Sequence, residues 1–200
     1  MYVSKFLLNR QKIVNPTGIN AAISSHLSHI AEQPPKSAAE FFYRLEWYKI
    51  GISVPFIVYS QTAPVMRVMP ECQLLETKQL EPLEDQKYFD FSLFAVPPFK
   101  HDWDPATDEK KIVAWLKKEL TGAATLLDQR FGPNNRIYYE VEGEHRQQQT
   151  VTITGTLQAQ DIKKLDLIRR FPLGKYSELG CGLLYLQARC EYADRMCCRK

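Results

Sequence analysis

The chain lacks most of what would fix a function class at a glance. Its 200 residues carry 26 Lys/Arg against 23 Asp/Glu, a formal net charge of only +3, so no general pull toward polyanions follows from the total. No apolar run is long enough to span a bilayer, and no basic segment leads into an apolar signal core. The expectation is a cytoplasmic protein without a membrane partner. Cysteine is sparse and odd in number: Cys72, Cys181, Cys190, Cys197 and Cys198 have no framework spacing and read as reduced thiols. Cys197–Cys198 has no partner ligands in its neighbourhood, so no metal is expected. Glycine is scarce too, with nine residues, yet three of them, Gly174, Gly180 and Gly182, crowd into "GKYSELGCGLLYLQ" (174–187).

What is present is ordinary for a globular protein: 44% hydrophobic and 24% charged residues. The length suits one large domain or two small ones, and can bury a core without disulfides. Charge is uneven. From Gly155 to Lys200 nine Lys/Arg face five Asp/Glu, whereas the first hundred residues nearly balance, ten against nine. A basic C-terminal third fits nucleic acid, although a solvated face is the commoner cause of such an excess.

Residues 2–8, "YVSKFLL", are β-branched and aromatic enough for a buried strand. Apolar residues at helical spacing predict a helix over 19–30, ended by Pro34–Pro35. Strands are expected at 41–47 and 53–61, then irregular chain through Pro64, Pro70 and Pro82, then a strand at 88–96 stopped by Pro97–Pro98. "TDEKKIVAWLKKELTG" is the clearest helix. Thr107 is its expected cap, Ile112, Trp115, Leu116 and Leu120 its buried stripe, and Gly122 its exit. Strands at 136–142 and 149–158 flank a polar loop, a helix capped by Asp161 runs to Phe171, and a last strand covers 183–186.

From residue 88 the order is β-α-β-β-α-β, and the first half begins in the same way. The fold class expected is α+β, with tandem ferredoxin-like (RRM-like) units over 1–87 and 88–188 and a basic tail at 189–200. No residue-level repeat supports the duplication; it rests on element order.

Could the glycine cluster hold phosphate as a P-loop does? A P-loop runs from strand into helix and places Lys beside Ser or Thr; here the order is helix, loop, strand, and Tyr176 follows Lys175. No nucleotide cofactor is therefore expected. What remains is a backbone laid close against something, either a ligand or the protein's own sheet, and spacing alone favours the sheet.

"GKYSELGCGLL" after such a helix resembles the C-terminal glycine-rich loop of the CRISPR repeat-RNA endoribonucleases, specifically the CasE type of the Cascade complex. That type ends in G-K-x-x-G-x-G-L-L; this chain has two more residues between the lysine and the second glycine. "MYVSKFLLN" resembles the family's opening strand and "YSQTAP" its third strand and exit. "TKQ" (77–79) resembles the start of its next strand, "AWL" its central helix, and "QTVTITGTLQAQD" the strand and cap before its final helix.

The resemblance implies two ferredoxin-like domains and metal-independent cleavage of the CRISPR repeat transcript at the base of its hairpin. The ribose 2′-hydroxyl would be the nucleophile, and the product a 2′,3′-cyclic phosphate and a 5′-hydroxyl. The enzyme would keep its hairpin, the crRNA handle, and join other CRISPR effector subunits. Loop residues Gly174, Lys175, Tyr176, Ser177, Gly180 and Gly182 would line the RNA path, with Lys175 near phosphate and Tyr176 able to stack on a base. Lys163, Lys164, Arg169 and Arg170 on the last helix, with Arg136 and Arg146 near the 142–149 loop, would hold the duplex; the alternative for each is a solvated face.

The catalytic pattern departs from the family. Attack by a 2′-hydroxyl needs a base, an acid for the leaving oxygen, and donors or positive charge on the phosphate. Family members often begin the first helix Asn-Pro-Tyr-x-x-His. Here "NPTGIN" keeps Asn15 and Pro16 but puts Thr17 at the tyrosine and Asn20 at the histidine. At about 100° per residue, His26 lies roughly 120° and His29 roughly 180° round the helix from Asn20. Neither restores the pair, and helical histidines without a carboxylate partner are more often surface or packing residues. Candidate catalytic groups are thus Asn20, His26, His29, Arg10, Arg44 and Lys175, with Lys12 and His145 behind them. Arginine, a poor base, can still neutralise a phosphorane. The family's basic "RLRANP" reads "SLFAVP" (92–97), two arginines fewer.

These departures fit a divergent or type IV branch better than a standard type I-E member. Three functions stay open: a guide-RNA maturation endoribonuclease, a non-cleaving hairpin-binding subunit, and a scaffold that binds only proteins.

Overall fold

The computed structural model describes residues 1–12, 16–27, 41–45, 52–99, 103–133, 135–141 and 143–189. It is a mixed α/β chain with two antiparallel sheets. The first holds β1 (Tyr2–Asn9), β2 (Phe41–Arg44), β3 (Ser53–Ser60) and β4 (Cys72–Gln79) in the order β2-β3-β1-β4, with α1 (Pro16–Leu27) on one face. The second holds β5 (Tyr88–Ala95), β6 (Ala124–Phe131), β8 (Glu144–Ala159) and β9 (Leu184–Ala188) in the order β6-β8-β5-β9. Helices α2 (Glu109–Glu119) and α3 (Ile162–Ile168) belong to it, and β7 (Asn135–Val141) pairs with β8 alone.

Alternation puts Phe6 and Leu8 of β1, Val54, Phe56 and Val58 of β3, and Cys72 and Leu74 of β4 on one face. There they meet Ile19, Ala22, Ile23 and Leu27 of α1. The second core forms similarly. Phe89, Phe91, Leu93 and Ala95 of β5 and Ile153 and Leu157 of β8 bury the predicted stripe Ile112, Trp115, Leu116 and Leu120, joined by Leu165 of α3. Each fully buried large side chain of this kind contributes about 2 kcal/mol.

Several expectations need correction. β4 occupies chain read as irregular, and "TKQ" closes it instead of opening it. β6 also escaped the pattern: its register slips between Leu126 and Asp128, so alternation breaks and Leu127 points to solvent. Gly155 makes that bulge possible. A Cβ there would lie 2.0 Å from the Asp128 carbonyl oxygen. Asp108, not Thr107, is the N-cap residue of α2; it makes no side-chain cap bond, and its carboxylate instead takes the Lys111 ammonium at 2.6 Å. Asp161 does cap α3, accepting from the Lys164 amide at 3.0 Å. The "polar loop" before 149 is mostly strand, since β8 starts at Glu144 and forms a ribbon with β7.

Residues 61–71 carry no helix, so among the described residues the first sheet has one helix where the second has two. The loop instead docks on the end of α1. The Val65 amide donates to the His26 carbonyl at 2.7 Å, and the His26 ring meets the Val65 carbonyl at 2.9 Å through Nδ1 and the Cys72 carbonyl at 2.9 Å through Nε2.

The two halves are joined by apolar contact and by hydrogen bonds. Tyr59, Leu80 and Leu183 bury together with Val3, Phe42 and Ile57 against them. Asp166 of α3 accepts from the Leu83 amide, Arg169 and Arg170, and Arg169 donates to the Glu81 carbonyl.

Candidate functional site

The glycine cluster forms a loop that closes on the protein's own backbone. Lys175 pairs with the end of β5, its amide donating to the Val96 carbonyl at 2.9 Å, and the Gly182 amide donates to the Phe94 carbonyl at 2.7 Å. Gly174 has φ +84°, and a Cβ there would lie 2.4 Å from the Val96 oxygen. Gly180 has φ +81°, and its Cβ would sit 2.7 Å from the Tyr43 ring. Both positions need glycine for conformation and for space. The sheet-packing reading thus accounts for the glycines themselves.

Between them, Ser177–Leu179 make one turn of 3-10 helix, entered through Tyr176 at φ 61°. A left-handed tyrosine costs roughly 1 kcal/mol. Its ring lies 6.4 Å from that of Tyr139 on β7. Burial, and then Tyr176 beside it, raise the Tyr139 hydroxyl above the ordinary tyrosine range.

The turn is where the halves meet chemically. The Glu178 carbonyl accepts from the Asn20 amide Nδ2 at 3.0 Å and from the Tyr43 hydroxyl at 2.8 Å. Burial pushes Tyr43 well above its ordinary range, with Cys181 and Glu178 adding to it. Tyr43 therefore remains a donor. Asn20 commits its NH2 group to the loop backbone, and an amide is not basic enough to take up a proton near pH 7. Thr17, one turn earlier on α1, is exposed.

The other candidates scatter. His26 is wholly buried, edge-on to Phe6 at 5.2 Å, with both ring nitrogens on backbone carbonyls. It is a structural staple with no access to a substrate, which corrects its candidacy as a base. His29 lies outside the described residues. Arg44 reaches across to β5, donating to the Ser92 carbonyl at 2.6 Å and to its hydroxyl at 2.7 Å, so it ties the halves together. Arg10 and Lys12 follow β1, and Lys12 is exposed. His145 is exposed in β8, opposite Glu140 of β7.

The proposed duplex-holding residues divide in two. Arg169 is buried, and Arg169 and Arg170 both pair with Asp166 at 2.6 Å. Burial alone would raise the Asp166 carboxyl; hydrogen bonds from Arg170 and Arg169 outweigh it and hold the group below its ordinary range. These arginines belong to the joint between the halves, a correction to their expected place on an RNA-facing surface. Lys163, Lys164, Arg136 and Arg146 are exposed. Arg146 pairs with Glu144 at 3.0 Å, and Lys164 lies 3.9 Å from Asp161.

Sequence reasoning missed one feature. A cavity of about 560 Å³ opens between the end of β5, Trp103, the β7–β8 ribbon and Lys175–Tyr176. Arg136 stands in it, with Nε donating to Gln149 Oε1 at 3.1 Å and Nη1 to Gln147 Oε1 at 3.2 Å. The signal was there in "RQQQT": alternation on a strand would have placed Gln147 and Gln149 on one face, opposite Tyr138 and Arg136.

No family model matches the chain. Among curated proteins, the Cascade subunit CasE of Escherichia coli K12 is 25% identical over 181 residues, spanning 80% of this chain and 87% of that protein. The fold matches the CRISPR endoribonuclease Cse3 bound to a 19-nucleotide RNA, with a TM-score of 0.73, 22% identity, and coverage of 94% of this chain and 100% of the other. Cse3 of Thermus thermophilus, bound to an RNA representing a pre-cleavage complex, matches with a TM-score of 0.72, 21% identity and the same coverage.

Proposed function

We propose that this chain, a relative of the CasE-type CRISPR endoribonucleases in sequence and fold, matures guide RNA by cutting a CRISPR repeat transcript at the base of its hairpin. It then keeps the product as a subunit of an effector complex in the cytoplasm. The reading takes the chain as tandem ferredoxin-like units over 1–87 and 88–188 with a tail at 189–200. Both sheets follow one strand order, and the second unit has its full complement of helices.

One observation carries the reading. The first turns of α1, where the family keeps catalytic groups, meet the glycine loop at the Glu178 carbonyl, three residues on from Lys175 and two from Tyr176. In the cleavage proposed, the 2′-oxygen forms a bond to phosphorus, the bond to the 5′-oxygen breaks, and the 2′-proton passes to a base while the leaving oxygen gains one. Lys175 would supply the cation that neutralises the phosphorane. Lys163, Lys164, Arg136 and Arg146 supply backbone contacts to the stem, which is recognised by shape.

A second reading, a hairpin-binding subunit that does not cut, is favoured by Asn20. Its amide is committed to the loop, and it cannot serve as a base. The two readings separate on incubating the purified protein with its repeat RNA in EDTA, followed by sizing and end-group analysis. A single cut leaving a cyclic phosphate supports the nuclease and its independence of metal. Binding without a cut supports the second reading, and absence of both overturns the two together.

A further inference from the structure

We propose that the cavity between the β7–β8 ribbon and the glycine loop takes one unpaired nucleotide from the foot of the bound hairpin. The inference rests on the reading that the chain binds repeat RNA.

Size comes first. About 560 Å³ falls within the roughly 300–1,000 Å³ of pockets that enclose small molecules. It suits an extruded nucleotide and is far too small for a duplex.

The lining supplies the matching chemistry. Trp103, set edge-on to Phe99 at 6.1 Å and 85°, and Tyr176 give it aromatic walls. An unstacked base gains on such surfaces whatever its sequence. Arg136 and Lys175 give it two cations, and no carboxylate is among the described lining residues.

Hydrogen-bond polarity sharpens the case. A guanidinium only donates, so Gln147 and Gln149 must turn their amide oxygens toward Arg136. Their NH2 groups are left over as donors, alongside the remaining Arg136 N–H groups and the Lys175 ammonium. Gln148 gives one N–H to the Gln149 carbonyl at 3.1 Å and keeps its oxygen as an acceptor. A cavity with two cations and several free N–H donors fits a phosphodiester plus a base edge; an amine or a bare hydrocarbon would leave the donors unpaired.

Position links this cavity to the junction. Lys175 and Tyr176 line it, while Glu178, two residues on, accepts from Asn20 and Tyr43. A strand leaving the stem beside the loop reaches the cavity within a nucleotide or two. Ribbon and loop would then hold an unpaired residue next to the bond at which the family cuts.

The test uses the full chain and a repeat stem-loop, 2′-O-methylated to prevent cutting, either blunt or with unpaired nucleotides on both sides. 2-Aminopurine is placed singly at each flanking position. The expected result is one position whose emission changes on binding, and an affinity roughly tenfold tighter with flanks than without. Trp103→Leu, and independently the exposed Lys175→Gln, should bring the flanked RNA down toward the blunt one. Equal affinity of flanked and blunt RNA, or no responding position, overturns the cavity assignment and leaves the proposed function standing. If neither RNA binds, both fall.

Discussion

The two sheets share a strand order but are covered differently. The second is packed by two helices through an all-apolar stripe, as its near-regular sequence patterns foretold. Among the described residues the first has one helix, and between β3 and β4 it has eleven residues of loop fastened by a buried histidine. Aliphatic packing tolerates change in proportion to the volume lost. A buried polar staple is lost whole, because removing the ring takes away its N–H and leaves the carbonyl it served unpaired. The half that carries α1 is therefore the half whose shape depends on a single ring.

Substituting His26 should show the largest effect. His26→Leu removes the single N–H that a neutral ring can give to one of the Val65 and Cys72 carbonyls and puts a branched side chain in the place of a fully buried flat ring, and should cost about 4 kcal/mol. Amide exchange should rise in α1 and 61–71 while β5, β8 and α2 stay protected. Uniform loss of protection would mean that the halves unfold as one unit.

Breaking the joint comes next. Asp166→Asn strands Arg169 and should cost about 3 kcal/mol in denaturant unfolding. The Asp166 carboxyl is depressed by its arginines, so its contribution is present above the ordinary aspartate range near about 3.9 and is lost as pH falls through its native value. The variant should accordingly lose less stability on acidification than the native chain. A parallel fall of both would remove Asp166 from that account.

Gly180→Ala should cost roughly 2 kcal/mol, since it forces a methyl group against Tyr43 at φ +81°. Calorimetry would check it. A neutral result would mean that Tyr43 yields freely.

Asn20→Ala should be mild, about 1 kcal/mol, because Tyr43 still serves the Glu178 carbonyl. Asn20→His is the more telling variant. If the missing base limits the nuclease, cleavage of repeat RNA should rise at least tenfold; no change would place the base elsewhere.

Much of this was legible beforehand, and the misses have physical causes. β1, β5, α2 and the cap of α3 follow from alternation, helical spacing and Asp161. β6 was hidden by a bulge that only Gly155, some thirty residues away, explains. His26 could not be told from an active-site residue, since sequence carries the ring but not the two carbonyls around it. Arg169 and Arg170 looked like RNA contacts because charge is visible in sequence and Asp166, packed between the halves, is not recognisable as their partner. The glycines were readable as close-packing residues; that Glu178 would take donors from both α1 and β2 was not.

Under the proposed function, loop and ribbon together hold hairpin RNA, whether or not the bond is cut. The most direct measurement is the affinity for the repeat stem-loop across a salt series, set against an unstructured RNA of equal length. The expected result is preference for the stem-loop and a steep linear fall of log K with log salt, with a slope reduced by about one in Lys175→Gln. Equal binding of both RNAs, or a slope unchanged by that substitution, would contradict it.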